Sequence, residues 1–260
     1  MKALFWDVDG TLAETERDGH RVAFNLAFEA EGLAWRWDER RYGELLRITG
    51  GRERLMHDMT VQPDAPSLAH ERDRLARAVH ARKNVLYAEL VRSGAIALRE
   101  GVLGLMTECR ERGIRLGITT TTSRSNVDAL LRQHLGDAWA HWFAVLLCGE
   151  DVERKKPDPE VYLRALNALR IGPLDAVAIE DSPGGVAAAR AANIAVLVTR
   201  SAYFADAPIE DAIAIGPGLH DRSGWTPAPR EAARSPGAIG VDDIRDWLAQ
   251  RESVSQFSLL

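Results

Sequence analysis

The chain has 260 residues and a formal net charge of −5, with 46% hydrophobic and 27% charged residues. This balance is typical of a globular protein, and the lack of a Lys/Arg run argues against a nucleic-acid partner. Two cysteines are too few for a disulfide framework or a cysteine-based zinc site. Asp7 and Asp9 interrupt the apolar N-terminus, which argues against a signal peptide, and every apolar run is far shorter than the roughly 20 residues of a membrane span. We expect a cytoplasmic monomer that contacts neither nucleic acid nor membrane.

Short apolar runs recur along the chain, and helical patterns fill the segments between them. The runs cover residues 3–6, 114–119, 143–148, 176–179, 195–198 and, more weakly, 212–215. They are continuous rather than alternating, which indicates strands buried on both faces of a parallel sheet. The alternation of strand and helix predicts the α/β class, with a doubly wound, Rossmann-like parallel sheet. We assign this core to residues 1–12 and 92–220.

A long helical segment interrupts this alternation after the first strand. Helical spacing of apolar residues covers stretches 20–31, 38–48, 51–59 and 67–91, and no convincing strand lies among them. We therefore predict an inserted all-helical cap domain over residues 13–91, called the predicted cap below. Residues 221–260 are rich in proline at their start, and we expect an irregular tail that contains a short helix.

Polar residues with catalytic potential follow or precede the predicted strands. Asp7 and Asp9 follow the first strand, a hydroxyl-rich run at 119–123 follows the second, and Glu180-Asp181 follows the fourth. Lys156 lies in the loop before the fourth strand. Ligands of doubly wound sheets bind at the carboxyl ends of the strands, so we expect these groups to converge. Each motif alone has an ordinary structural explanation as a turn or a helix cap, but the four in this order favour a functional site.

Converging carboxylates need a cation, and an all-oxygen ligand set favours Mg²⁺. A divalent ion beside Lys156 and the Thr120 hydroxyl forms a site for a phosphoryl group. One aspartate would attack phosphorus as the nucleophile, and the other would protonate the leaving oxygen. This division of labour explains two aspartates one residue apart at the end of a buried strand.

The motifs resemble those of the haloacid dehalogenase superfamily of phosphohydrolases with a helical cap. They are Asp7-Val8-Asp9-Gly10-Thr11, Thr120, Lys156-Pro157 and Glu180-Asp181-Ser182. The resemblance implies that Asp7 is the nucleophile and that Asp9 is the general acid and then the base. It implies that Thr120 and Lys156 bind the transferring phosphoryl group. It further implies a Mg²⁺ site formed by Asp7, the Asp9 backbone carbonyl and Asp181, with Glu180 nearby.

The same motifs separate branches of the superfamily. The dehalogenase branch lacks the second aspartate, so Asp9 argues against that chemistry, and Thr11 is the phosphatase-like choice where sugar phosphomutases tend to have Val. Segments 13–16, 49–54 and 120–127 are similar to the CbbY-type subgroup, which is associated with carbon fixation and hydrolyses sugar bisphosphates, with xylulose 1,5-bisphosphate as the expected substrate. The alternatives are a β-phosphoglucomutase-like enzyme, a phosphoglycolate phosphatase-like enzyme, or a non-catalytic sugar-phosphate sensor. The intact acidic motifs argue against the sensor.

A bisphosphate requires a second anion site away from the reacting phosphate. Arg52 and Arg54 follow a Gly50-Gly51 turn that opens a helix, where backbone N–H groups and the helix dipole favour an anion. We expect these residues to bind the second phosphate of a small sugar phosphate. The further substrate-binding candidates are Glu16, His20, Tyr42, Lys83, Thr121 and Asn126.

Overall fold

Six parallel strands form one sheet at the centre of the protein. The computed structural model describes residues 1–230 and 237–257. The strands are β1 (Ala3–Trp6), β2 (Arg115–Thr119), β3 (Phe143–Leu147), β4 (Ala176–Glu180), β5 (Ala195–Thr199) and β6 (Ala214–Gly216). Their order is β3-β2-β1-β4-β5-β6, which confirms the predicted doubly wound α/β class. β1 pairs with β2 on one side and β4 on the other, so the loops after these three strands are neighbours.

Helices cover both faces of the sheet and form a group after β1. They are α1 (Arg21–Ala30), α2 (Glu39–Leu45), α3 (Gly51–Asp58), α4 (Ala69–Arg92), α5 (Val102–Glu111), α6 (Arg124–Leu135), α7 (Glu160–Leu169), α8 (Pro183–Ala191) and α9 (Val241–Phe257). A π-helical turn, Glu16–His20, precedes α1. Among the described helices, none is long and apolar enough to cross a membrane.

Side chains of β1 alternate between two buried apolar clusters. Leu4 and Trp6 join the cluster under α5, α6 and α9, whereas Phe5 joins the cluster under α7 and α8. This period of two follows from strand geometry, and it explains why both faces of the run are apolar.

Helices α1 to α4 share an apolar cluster of their own. Phe24, Phe28 and Trp37 form its aromatic centre, with Phe24 and Trp37 ring centroids 4.7 Å apart. The two connections to the sheet run side by side, because Ala13 forms a bridge with Leu98. A separate cluster and two adjacent connections support the predicted cap, whose boundaries remain a prediction.

The tail is more regular than the sequence suggested. Its helix α9 spans 17 residues rather than a short stretch. Besides the prolines, the sequence carries a helical signal here: Val241, Ile244 and Trp247 recur every three residues and are buried against the core. The Trp247 ring stacks on Trp225, with centroids 4.9 Å apart. Residues 231–236 and 258–260 of the predicted tail lie outside the described residues.

Candidate active site

Lys156 connects the carboxyl ends of β1, β2 and β4. Its Nζ donates to Asp7 Oδ1 at 2.7 Å, to Glu180 Oε1 at 2.5 Å and to the Thr119 carbonyl at 2.8 Å. Glu180 also accepts a hydrogen bond from the Tyr162 hydroxyl on α7. All of these side chains are buried. The strand order therefore brings together the polar groups that the sequence placed at the strand ends.

Acidic side chains outnumber basic ones at this edge of the sheet. Asp7, Glu180 and Asp181 have carboxylate oxygens within 4.8 Å of one another. Burial raises the pKa of Asp7 to about 8, against the opposing effect of Lys156 and with a further contribution from Glu180. Burial and the Asp7 charge raise the pKa of Asp181 well above its usual value. Burial disfavours the charged form of Lys156, but Asp7 and Glu180 raise its pKa well above the ordinary range.

The carboxylate cluster fits a hard cation. Its donors are all oxygens, and the Glu180 Oε2 atom is buried with no hydrogen-bond partner among the described residues. A Cβ atom on Gly10 would lie 2.0 Å from Asp181 Oδ2, so only glycine leaves room for this carboxylate. The predicted ligands Asp7 and Asp181 are thus placed to hold Mg²⁺. Glu180 is bound to Lys156 and Tyr162 through its other oxygen.

Asp9 faces the predicted cap rather than the carboxylate cluster. Its Oδ1 atom accepts hydrogen bonds from Thr15 Oγ1 at 2.6 Å and pairs with His20 Nε2 at 2.9 Å. Burial favours the protonated form, but the charge and hydrogen bond of His20 lower the pKa of Asp9 below its usual range. His20, which the sequence suggested as a substrate-binding residue, contacts the Asp9 carboxylate in the structure. Thr15 was missed, because a lone threonine has no pattern that identifies its partner.

Two adjoining cavities extend from this site. One, of about 290 Å³, is lined by Asp7, Lys156 and Asp181, and the other, of about 380 Å³, is lined by His20, Lys83 and residues of α3. The residues that line both are Asp9, Glu16, Gly50, Arg54 and Thr121. The first is called the catalytic cavity and the second the cap cavity below. They share these lining residues, so one molecule with two charged ends can reach into both.

The two candidate threonines differ in placement. Thr121 lines both cavities, whereas Thr120 lines neither. The Thr120 hydroxyl accepts the backbone N–H of Thr122 at 3.3 Å and stays buried. The identity of the threonine that contacts phosphate remains a prediction. On geometry alone, Thr121 is the better placed of the two.

Glu16, Tyr42 and Arg54 form one buried cluster beside the cavities. The Tyr42 hydroxyl donates to Glu16 Oε2 at 2.5 Å, and Arg54 Nη1 donates to the Tyr42 oxygen at 2.8 Å. Arg54 Nη2 lies 3.5 Å from Glu16 Oε1. Glu16 and Arg54 line both cavities, but Tyr42 is fully buried behind them. Tyr42 therefore holds the two charged side chains in place rather than facing a ligand.

Lys83 is a second buried cation of the cap cavity, beside Arg54. Its ammonium lies over the rings of Phe24 and Tyr87, at 5.4 and 5.2 Å from their centroids. Burial lowers its pKa to about 8, and among the described residues no carboxylate lies within ion-pair distance of it. The other predicted residues here are Gly51, Arg52 and Asn126, which line the same cavity. Arg52 is partly exposed and lies 3.6 Å from Asp73.

Comparison with known proteins now identifies the family. The family model of the haloacid dehalogenase-like hydrolases matches residues 1–193. The chain belongs to the haloacid dehalogenase-like hydrolase family. This hydrolase is 42% identical to protein CbbY (plasmid) of Cupriavidus necator, over 92% of this chain and 91% of that protein.

Two crystal structures of CbbY from Rhodobacter sphaeroides share the fold of this haloacid dehalogenase-like hydrolase. Each alignment covers 82% of this chain and 92% of the CbbY chain, with a TM-score of 0.76. The sequence identities are 40% and 39%. One contains phosphate, and the other is a mutant in complex with xylulose-(1,5)bisphosphate. These relations confirm the predicted family and the enzyme class, so the chain is a CbbY-like phosphatase.

The raised pKa of Asp7 predicts a pH-dependent stability in the absence of metal. Because the folded-state pKa of about 8 exceeds the ordinary 3.8, the folded protein keeps a proton that the unfolded chain releases between these values. Wild-type protein should therefore lose stability relative to the near-isosteric Asp7→Asn variant as pH rises, by more than about 1 kcal/mol in free energy of unfolding between about pH 5 and about pH 8. Urea unfolding in EDTA measures this difference.

The exposed Asp64 provides the matched control. Asp64→Asn should change the free energy of unfolding equally at both pH values. A wild-type to Asp7→Asn difference that is also constant would contradict the electrostatic description of the carboxylate cluster.

Proposed function

We propose that the chain is a Mg²⁺-dependent phosphatase that hydrolyses a sugar bisphosphate, with xylulose 1,5-bisphosphate as the first candidate. The observation that carries the proposal is the pair of adjoining cavities, one lined by Asp7 and Lys156 and the other by the buried Lys83. A monophosphate needs only the first of these sites. The ligand of the CbbY crystal structure supports the choice of sugar bisphosphate, as that protein is 39% identical to this chain.

In this mechanism Asp7 attacks phosphorus and the sugar oxygen leaves. Lys156 holds Asp7 by one oxygen at 2.7 Å, which orients the other for attack and offers an ammonium to the phosphoryl oxygens. Mg²⁺, when held by Asp7 and Asp181, supplies positive charge to the same oxygens. The product of this step is an aspartyl phosphate on Asp7, which water then hydrolyses to regenerate the carboxylate.

Asp9 moves the protons of both steps. The bound phosphates bring negative charge close to Asp9, which raises its pKa and favours the protonated form that the leaving oxygen requires. After transfer, the ionised Asp9 takes a proton from the attacking water. Thr15 and His20, which hydrogen-bond to Asp9 at 2.6 and 2.9 Å, keep it at the junction of the two cavities.

The second phosphate binds in the cap cavity in this proposal. Lys83 offers a desolvated positive charge there, and the first N–H groups of α3, at Gly51 and Arg52, offer hydrogen bonds with the favourable end of the helix dipole. Arg54 contributes charge while it is held by Glu16 and Tyr42. Lys83, a substrate-binding candidate from the sequence, is more buried in this proposed site than Arg52 or Arg54.

The substrate class is tested by phosphate release in Mg²⁺ from four compounds: xylulose 1,5-bisphosphate, ribulose 1,5-bisphosphate, β-glucose 1-phosphate and phosphoglycolate. We expect kcat/KM for xylulose 1,5-bisphosphate to exceed that for either monophosphate by at least about tenfold, which corresponds to about 1.4 kcal/mol. Asp7→Asn should be inactive on all four. Preference for a monophosphate would contradict the bisphosphate proposal while leaving the family chemistry in place.

Removing the Lys83 charge tests the second phosphate site. Lys83→Met keeps the length of the side chain over Phe24 and Tyr87 but removes its charge. We expect the KM for the bisphosphate to rise about tenfold or more, because one charged hydrogen bond to the second phosphate is lost. The kcat/KM for 4-nitrophenyl phosphate should change less than about twofold. Steady-state kinetics on both substrates gives the comparison.

Arg82→Met is the control, because Arg82 immediately precedes Lys83 on α4 and its side chain is exposed. It should leave both substrates unaffected. If Lys83→Met lowered kcat/KM equally for the bisphosphate and for 4-nitrophenyl phosphate, Lys83 would not bind the second phosphate.

A further inference from the structure

The loop that follows β5 contacts the carboxylate cluster through Ser201. The Ser201 hydroxyl is buried and donates to Asp181 Oδ2 at 2.6 Å. Within residues 1–230 and 237–257, no other side chain or backbone group donates a hydrogen bond to this carboxylate. Ser201 thus occupies one oxygen of Asp181 and leaves the other without a donor. A carboxylate with one fixed oxygen cannot rotate freely.

Residues on the two connections between sheet and predicted cap hold this loop. The Glu14 carboxylate accepts the backbone N–H of Ala202, with its oxygens 3.1 and 3.3 Å away. Arg99 donates to the carbonyls of Thr199 at 3.2 Å and Arg200 at 2.7 Å. The backbone is therefore held by hydrogen bonds on both sides of Ser201. Glu14 lies in the connection that leads from β1 to α1, and Arg99 lies in the connection that leads from α4 to α5.

The same loop also contacts the predicted cap. The Tyr203 ring packs on Tyr42, with centroids 5.7 Å apart, and its edge lies against Gly43 of α2. One residue, Ala202, therefore separates the serine whose hydroxyl holds Asp181 from the tyrosine whose ring contacts α2. The position of the loop depends on contacts with both parts of the chain.

We propose that Ser201 is a positioning residue that presets Asp181 for the cation, and that Glu14 acts on Asp181 through Ser201. This inference rests on the proposed Mg²⁺-dependent function and adds to it a residue outside the four motifs. The physical reason is that a hydroxyl donor favours the ionised carboxylate and fixes its rotation before the cation arrives. Partners of this kind contribute about 10- to 100-fold to metal affinity.

Calorimetric titration of Mg²⁺ into substrate-free protein tests the proposal. Ser201→Ala should raise the Kd for Mg²⁺ about tenfold or more. The concentration of Mg²⁺ that gives half-maximal turnover should rise by a similar factor, while kcat at saturating Mg²⁺ returns close to the wild-type value. Ser125→Ala, an exposed position on α6, is the control and should bind Mg²⁺ as the wild type does.

A double-mutant cycle separates positioning from a general loss of structure. If Glu14 acts through Ser201, Glu14→Ala weakens Mg²⁺ binding, and its effect largely disappears when Ser201 is already alanine. Fully additive effects would overturn the role given to Glu14. Unchanged Mg²⁺ affinity in a folded Ser201→Ala protein would overturn the role given to Ser201, with the phosphatase proposal intact. A wild-type protein that hydrolyses the bisphosphate without binding Mg²⁺ would instead overturn the metal-dependent function itself.

Discussion

The contacts of one buried ammonium organise the catalytic end of this sheet. Lys156 joins Asp7 and Glu180 at 2.7 and 2.5 Å, yet with the neighbouring Asp181 the cluster holds three carboxyl groups and one ammonium. Removing one partner from a buried ion pair costs about 3–5 kcal/mol, so this arrangement constrains every loop that contributes to it. A divalent cation would compensate the charge of these carboxyl groups once they ionise. The order β2-β1-β4 is the topological condition for the whole cluster.

Positive charge on the side of the predicted cap has a different arrangement. Arg54 is paired with Glu16 and Tyr42. Lys83 instead lies over aromatic rings, and no carboxylate in the described part of the chain forms an ion pair with it, although Asp9 and Glu16 line the same cavity. An anionic ligand stabilises a desolvated cation of this kind strongly, because the ligand supplies the ion-pair partner that the side chain lacks in the folded protein. Asp9 lies where the two cavities meet, so binding of a second phosphate and the chemistry at the first share one boundary.

The fold and the catalytic motifs could be predicted because each depends on local patterns with a fixed spatial consequence. Continuous apolar runs indicate a parallel sheet, and parallel strands bring their carboxyl ends together. The partners of His20, Tyr42 and Ser201 could not be predicted, since they depend on side-chain packing between segments far apart in sequence. The length of α9 was underestimated because prolines dominate its neighbourhood, although Ile244 and Trp247 carry the helical spacing.

In the proposed mechanism, Asp7 becomes phosphorylated during turnover. Acid quenching of the enzyme during hydrolysis of xylulose 1,5-bisphosphate, followed by borohydride reduction and peptide mass spectrometry, tests this directly, because an acyl phosphate is reduced to an alcohol at the modified residue. We predict that reduction converts Asp7 to homoserine in the wild type and that the Asp7→Asn variant carries no modification. Modification of another residue, or sustained hydrolysis by Asp7→Asn, would contradict the aspartyl-phosphate mechanism.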